Sequence, residues 1–311
     1  MSHALEVKQL TKTYNNGKQA LQGVDLSVPE GSFFALLGPN GAGKSSLINI
    51  LADTVHPSSG QVTFLGHDLF TERRWCKQHL GVVPQEIAFD PFFNPRDILK
   101  IMSGMFGFKP DLKWIDELLE RLELTEHANK NARQLSGGMR RRLLVAQALV
   151  HRPKVVILDE PTAGVDVELR KRLWDFMREL NANGTTILLT THYLEEAEEL
   201  CDHVAIINQG KLLTSQPMSD LLNSVGSSSL VLQYAQNINL DTVANQQLES
   251  FSPRVDSNTL CLSLKKDDRG QSNFNAAYQA AMNVFGEAQS VSIQNEDLED
   301  VFLRLTHEDK P

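Results

Sequence analysis

Gly38-Pro39-Asn40-Gly41-Ala42-Gly43-Lys44-Ser45 follows the apolar run Phe33 to Leu37 directly and opens a segment with Leu47, Ile48 and Leu51 on one helical face. A strand that ends in GxxxxGK[ST] and turns at once into a helix is a phosphate-binding loop. The glycines are needed because backbone N–H groups must turn inward around an anion, where a side chain would obstruct the backbone angles or the phosphate itself. The helix start adds a partial positive charge. In such a loop Lys44 neutralises the β- and γ-phosphates, Ser45 offers its hydroxyl to Mg²⁺, and Ser46 reaches an α-phosphate oxygen. An ordinary glycine-rich turn would not need a strand and a helix in register on its two sides.

Residues 5 to 28 alternate apolar and polar side chains around Asn15-Asn16-Gly17, so an antiparallel pair with a turn is expected first. Beyond it, Phe33 to Leu37, Val155 to Leu158, Thr186 to Leu189 and Val204 to Ile207 are short and continuously apolar. Strands of that kind alternating with helices imply a mostly parallel sheet covered on both faces. Between Gln85 and Leu135 no such run occurs, while Leu112, Ile115, Leu118, Leu119 and Leu122 recur at helical spacing, which predicts a helical subdomain over about 86–150. Gly226-Ser227-Ser228-Ser229 has the composition of a linker. After it come weaker strand signals at Leu230 to Tyr234, Leu260 to Leu264 and Val291 to Ile293, and helical patterns at Asn275 to Val284 and Leu298 to Leu305. The expected organisation is an α/β domain over 1–225, with an N-terminal antiparallel β subdomain and a parallel core, and a small α/β appendage over 226–311. At 311 residues and 41% hydrophobic content the chain can fill both cores.

A formal net charge of -9 disfavours nucleic acid as a partner, since a grip on phosphate backbones needs a basic face. Cys76, Cys201 and Cys261 form no CxxC pair and are expected to be free thiols in a reducing compartment. The N-terminal residues lack the pattern of a secretory signal, and the apolar runs fall far short of the ~20 residues that span a bilayer. Any service to a membrane is therefore expected from outside the lipid.

Val155 to Leu158 ends in Asp159-Glu160, an apolar strand delivering two acids. Alone, that pair could simply begin a solvated loop. Beside a phosphate loop, Asp159 fits a Mg²⁺ partner acting through its water shell, and Glu160 stands where it could polarise an attacking water. Leu135-Ser136-Gly137-Gly138-Met139 precedes a helix through Leu143, Leu144, Ala146, Ala148 and Leu149, a second helix start ready for an anion. The following Arg140-Arg141-Arg142 point to different sides of that helix and are expected to form a solvated face with one structural ion pair.

The ordered series of phosphate loop, Gln85, Leu-Ser-Gly-Gly, Asp159-Glu160 and His192 resembles the nucleotide-binding subunits of ABC transporters, over residues 5 to about 215. The resemblance implies an ATPase of the P-loop NTPase fold in which Gly38 to Ser46, namely Gly38, Pro39, Asn40, Gly41, Ala42, Gly43, Lys44, Ser45 and Ser46, hold ATP. It further implies that Ser45, Gln85 and Asp159 serve Mg²⁺, that Gln85 also contacts the attacking water and senses the membrane partner, that Glu160 is the general base or water-positioning group, that His192 holds the γ-phosphate and that Tyr14 stacks on adenine. Asp166 matches a loop that connects two subunits. In this family Ser136, Gly137 and Gly138 cap the ATP of a second copy, so a head-to-tail dimer with two composite sites is implied. Each motif occurs once here, as that arrangement needs. Met139 and Ser46 replace the commoner glutamine and threonine; the second keeps its hydroxyl.

Pro161 to Asp166, Thr190 to Glu198 and Leu298 to Phe302 look like the ABC-2 group of exporter ATPases, whose integral membrane permease is a separate chain. That likeness places the protein on the cytoplasmic face of the inner membrane and assigns Glu86 to Phe93 to a groove for a permease helix. Two rival classes are weaker. ABC ATPases acting on ribosomes or DNA carry a second nucleotide domain or a long coiled-coil insertion, and neither is visible here. A regulatory nucleotide binder that does not turn over would tend to lose Glu160 and His192.

Overall fold

The computed structural model describes residues 2–85, 92–162, 166–225, 228–240, 242–264, 273–294 and 297–307. The chain divides into two compact units, Met1–Ser219 with Leu305–Pro311, and Asp220–Arg304.

The first unit opens with β1 (His3–Thr13) and β2 (Gln19–Pro29), antiparallel around the Asn15-Asn16-Gly17 turn, where Gly17 donates to the Tyr14 carbonyl at 2.9 Å. Next come β3 (Phe33–Leu37), α1 (Lys44–Leu51), β4 (Ser59–Phe64), β5 (His67–Asp68), α2 (Arg73–His79) and β6 (Leu80–Val83). Helices α3 (Pro95–Met105), α4 (Leu112–Arg121) and α5 (Gly137–Leu149) then follow, before β7 (Val155–Asp159), α6 (Val167–Ala182), β8 (Thr186–Thr190), α7 (Leu194–Leu200), β9 (His203–Asn208) and β10 (Lys211–Pro217). One sheet has the order β2-β1-β4-β5; the other, of six strands, has the order β10-β9-β3-β8-β7-β6. In the second sheet β6, β7, β8, β3 and β9 run parallel and β10 closes one edge antiparallel. β3, β7 and β8 are buried along their whole length, which is why they appear in the sequence as unbroken apolar runs.

Among the elements that escaped the pattern, β6 and α3 have identifiable reasons. β6 interrupts its apolar run with Gly81, because a Cβ there would strike the Ala148 carbonyl of the helix packed on it. α3 has few buried residues, and its start is set by Asn94, whose side chain accepts from the Asp97 N–H ahead of Pro95 at the first turn. α4 buries Ile115, Leu118 and Leu119 as its spacing predicts, with Trp114 in place of Leu112, which is exposed. Cys76 and Cys201 are buried and Cys261 half-buried, all as free thiols. Among the described residues no helix is long and apolar enough to cross a membrane.

After α8 (Met218–Val225), the second unit contains β11 (Ser228–Gln233), α9 (Thr242–Leu248), β12 (Arg254–Asp256), β13 (Thr259–Leu264), α10 (Phe274–Phe285) and β14 (Ser290–Gln294), followed by α11 (Leu298–His307). The strands form an antiparallel sheet of order β12-β13-β11-β14. Leu230 and Leu232 pair with Leu262 and Leu260 on one face, where Leu248, Ala277 and Ala281 complete a core of its own. Gly226 and Ser227 lie outside the described residues, but Ser228 and Ser229 are not linker: they already pair with Leu264 and Ser263. The strand's polar first residues concealed its start.

His151, at the end of α5, is enclosed in the first unit. Its ring stacks on Phe106 with centroids 3.7 Å apart, and Nε2 lies 3.1 Å from the Leu80 carbonyl. Burial pulls its pKa down to about 4, with His79 adding to the effect. The unfolded chain, with an ordinary histidine near 6.5, takes up the proton first as pH falls. His151 should therefore contribute full stability above about pH 6.5 and lose it progressively towards about pH 4. Urea midpoints at about pH 7.5 and about pH 5 should fall less for His151→Gln than for the unaltered chain.

Candidate functional site

Parallel pairing carries the ends of β3, β7 and β8 to one edge of the sheet, the edge on which open α/β sheets bind ligands. From β3 the chain enters the Gly38-to-Ser45 loop. Gly43 caps α1 with φ 112°, and a Cβ there would lie 2.6 Å from the Ala20 carbonyl, so this position requires glycine twice over. Lys44 folds back across its own loop and donates to the Gly38 carbonyl at 2.5 Å and the Pro39 carbonyl at 3.2 Å. Burial lowers its pKa, an effect opposed by the nearby carboxylates of Glu160 and Asp159.

A pocket of about 260 Å³ is lined by Tyr14, Lys18, Ala20, Pro39 to Ser46, Gln85, Asp159, Glu160 and His192. The structure thus gathers, from five separate stretches of chain, the predicted residues except Gly38, Ser136, Gly137 and Gly138. Gly38 stands at the base of the loop, holding Lys44 through its carbonyl. Ser136, Gly137 and Gly138 are not among the lining residues; Ser136 caps α5, accepting from the Met139 N–H at 3.2 Å. Tyr14 reaches the loop through its hydroxyl, 3.1 Å from Ser46 Oγ.

Asp159 is paired across the sheet with Thr190, whose hydroxyl donates to Asp159 Oδ1. Burial raises the Asp159 pKa, and the Thr190 bond, Arg141 and Lys44 oppose that rise. One residue further, Glu160 sits in the left-handed region at φ 51°, its N–H bound to the Thr190 carbonyl at 3.1 Å. Its carboxylate lies between His192 Nε2 at 2.5 Å and Gln85 Nε2 at 3.3 Å. One carboxylate with a donor on either side, at the mouth of a phosphate loop, can accept a proton from a water held there.

Asp166 caps α6, accepting from the Leu169 N–H at 3.0 Å, while residues 163–165 lie outside the described residues. So do 86–91 of the segment Glu86 to Phe93; Phe92 and Phe93 are exposed, with the Arg133 guanidinium over the Phe92 ring.

The arginine run contradicts the solvated face expected of it. Arg141 is 3% exposed and Arg142 9%, because α5 is packed into the unit and not laid on its surface. Arg142 donates to the Leu122 carbonyl at 2.7 Å and pairs with Glu123. Arg141 reaches four carbonyls at the site, those of Pro84, Gln85, Asp159 and Glu160.

Glu196 also went unnoticed, as one acid in a run of acids. It is 1% exposed and accepts hydrogen bonds from Trp174 Nε1 at 2.7 Å, Thr162 Oγ1 at 2.7 Å and the Thr191 hydroxyl. It therefore braces the residue before His192 against the segment after Glu160. Its one available signal is helical phase, since Glu196 shares a face of α7 with Leu200.

Residues 21–163 match the family described as ABC transporter. The chain is 35% identical over 311 residues to the daunorubicin resistance ATP-binding protein DrrA3 of Streptomyces coeruleorubidus, covering 99% of this chain and 97% of that protein. It is 33% identical to the linearmycin resistance ATP-binding protein LnrL of Bacillus subtilis, covering 97% and 98% respectively. Among solved structures, it resembles the ATP-binding subunit of an ABC transporter (TM-score 0.66, 26% identity, 71% of this chain and 92% of the other). It also resembles a dimeric ATP-binding cassette in a post-hydrolysis state bound to ADP and Pi (TM-score 0.63, 26% identity, 69% and 98%).

Replacing Glu196 with Ala leaves three donors without an acceptor in the interior. The variant is expected to lose about 3 kcal/mol of stability, to be measured by urea unfolding at neutral pH.

Proposed function

The chain belongs to the ABC transporter family as an ATP-binding subunit, and on that premise we propose how its residues divide the work of ATP hydrolysis. It binds and hydrolyses ATP as the cassette of an exporter-type transporter. The observation that carries the mechanism is the Glu160 carboxylate, set between His192 and Gln85 at the mouth of the phosphate loop.

The loop N–H groups and the start of α1 receive the phosphates, with Lys44 turning its ammonium from loop carbonyls to the β- and γ-phosphate oxygens. Ser46 reaches the α-phosphate, and Tyr14, on the same pocket wall, stacks on the adenine. Ser45, Gln85 and Asp159 supply oxygen donors, which suits Mg²⁺. When bound, that ion neutralises charge on the β- and γ-phosphates. Glu160 accepts a proton from water as the water oxygen attacks the γ-phosphorus; the bond to the bridging oxygen breaks, and ADP and phosphate result. Gln85 holds the water and His192 offers Nε2–H to a γ-phosphate oxygen, both from positions already converging on Glu160.

Ser136, Gly137 and Gly138 are not among the residues lining this pocket and are proposed to cap ATP in a second copy, giving two composite sites across a head-to-tail dimer. ATP then holds the dimer together and hydrolysis loosens it. An integral membrane permease on the cytoplasmic face of the inner membrane would follow that change. The relatives named for drug resistance support export as its direction. Residues 1–225 carry this chemistry, and 226–311 are an accessory domain.

Glu160→Gln is expected to bind ATP, to release phosphate at least about 100-fold more slowly, and to accumulate as a dimer in Mg-ATP by light scattering. A variant that hydrolyses like the unaltered protein and stays monomeric overturns the assignment. Removing the residues after Gly226 should leave ATP affinity within about twofold, measured with a fluorescent ATP analogue.

A further inference from the structure

We propose that Arg141 is a positioning residue: it holds the backbones of Glu160 and Gln85 in fixed relation to each other and ties both to α5, the helix headed by Ser136-Gly137-Gly138. Its guanidinium donates through Nη1 to the carbonyls of Pro84 at 2.5 Å and Gln85 at 2.9 Å. Through Nη2 it donates to those of Asp159 and of Glu160, the latter at 2.6 Å. One planar group thus joins the end of β7 to the segment after β6. The two strands are neighbours in the sheet, paired up to Val83 and Leu158, and Arg141 continues their connection where the backbone ladder stops.

The need for such a clamp is local. Glu160 lies at φ 51°, a region a side chain with a Cβ occupies at a cost of about 1 kcal/mol and keeps only where its surroundings hold it. Thr190 holds its N–H and Arg141 its carbonyl, so both ends of the strained residue are tied and the carboxylate is aimed between His192 and Gln85. Arginine suits this place because its donors form a rigid planar fork, whereas lysine offers a single point and cannot span four carbonyls. Burial disfavours the charge on Arg141, an effect that the carboxylates of Asp159 and then Glu160 oppose only in part. Its neighbour Arg142 instead binds the Leu122 carbonyl, so the function is particular to one position in the run.

Arg141 lies five residues beyond Ser136 on the same helix. If the start of α5 meets ATP in a second copy, a shift of that helix is transmitted through the guanidinium to this copy's own Glu160 and Gln85. This rests on the reading of Glu160 as the group that activates water.

The test compares the full chain with Arg141→Lys, Arg141→Met, Glu160→Gln and the double variant Arg141→Lys/Glu160→Gln, by phosphate release, binding of a fluorescent ATP analogue and thermal melting. Arg141→Lys is expected to lower kcat at least about tenfold while KM for ATP stays within about twofold. The double variant should be no slower than Glu160→Gln alone, because the guanidinium acts through that carboxylate. A purely structural residue would not give that result: its effect would multiply with the loss of Glu160. Unchanged kcat in Arg141→Lys beside an inactive Glu160→Gln overturns the role of Arg141 alone, as does a multiplicative double variant. Loss of nucleotide binding and cooperative melting in both Arg141→Lys and Arg141→Met makes the residue structural and also overturns it. A Glu160→Gln protein as fast as the unaltered chain overturns instead the reading of Glu160.

Discussion

The parallel register of β3, β7 and β8 is the constraint on which the site depends. Phe33 to Ala35 pair with Ile187 to Leu189, and Val155 to Asp159 with Thr186 to Thr190, so three strand ends arrive at one edge. The phosphate loop, the Asp159-Glu160 pair and His192 are each a continuation of one of those strands by a few residues. Because side chains alternate along a strand, a slip of one residue between β7 and β8 would separate Asp159 from Thr190 and turn the acids away from the loop. What resists that slip is polar: it would break the Thr190 hydroxyl's bond to Asp159 Oδ1 and the Glu160 N–H bond to the Thr190 carbonyl, leaving buried polar groups unpaired.

Charge inside this apolar frame is tolerated only where it is answered. Lys44 lies against loop carbonyls, Asp159 takes the Thr190 hydroxyl, Arg141 meets four carbonyls and Glu196 takes three donors. Groups of this sort stabilise little in themselves, because desolvation offsets most of their attraction. Their contribution is directional: each fixes a loop that carries no regular backbone ladder, and the loops are where the proposed chemistry takes place. Glu196 braces the segment around His192 much as Arg141 braces that around Glu160, one from α7 and the other from α5. Both helices therefore reach the site through a side chain although neither lines the pocket.

Much of this was legible along the chain. The fold class followed from apolar runs that alternate with helical periodicity, and the site from short motifs whose chemistry admits few residue types: glycines where N–H groups must point inward, a lysine beside phosphates, two acids after a buried strand. These signals survive in one dimension because each is local, contained in a single strand-to-loop step. β6 and α3 were harder, the one interrupted by Gly81 for close packing against Ala148, the other starting at a cap and burying few side chains. The polar beginning of β11 read as linker for a similar reason: Ser228 and Ser229 owe their strand conformation to the partners Leu264 and Ser263, far along the chain.

By itself the sequence determined the phosphate loop, the acids that face it and the apolar strands that carry both, because backbone conformation and burial are written there in residue type and spacing. Only the tertiary structure decided the fate of the charged residues. Arg141 and Glu196 are indistinguishable in sequence from the arginines and the exposed acids beside them, since helical phase says which residues share a face and not which face is buried. What settles the matter is the packing of α5 and α7 against strand ends remote in the chain, where buried carbonyls and hydroxyls require hydrogen-bond partners.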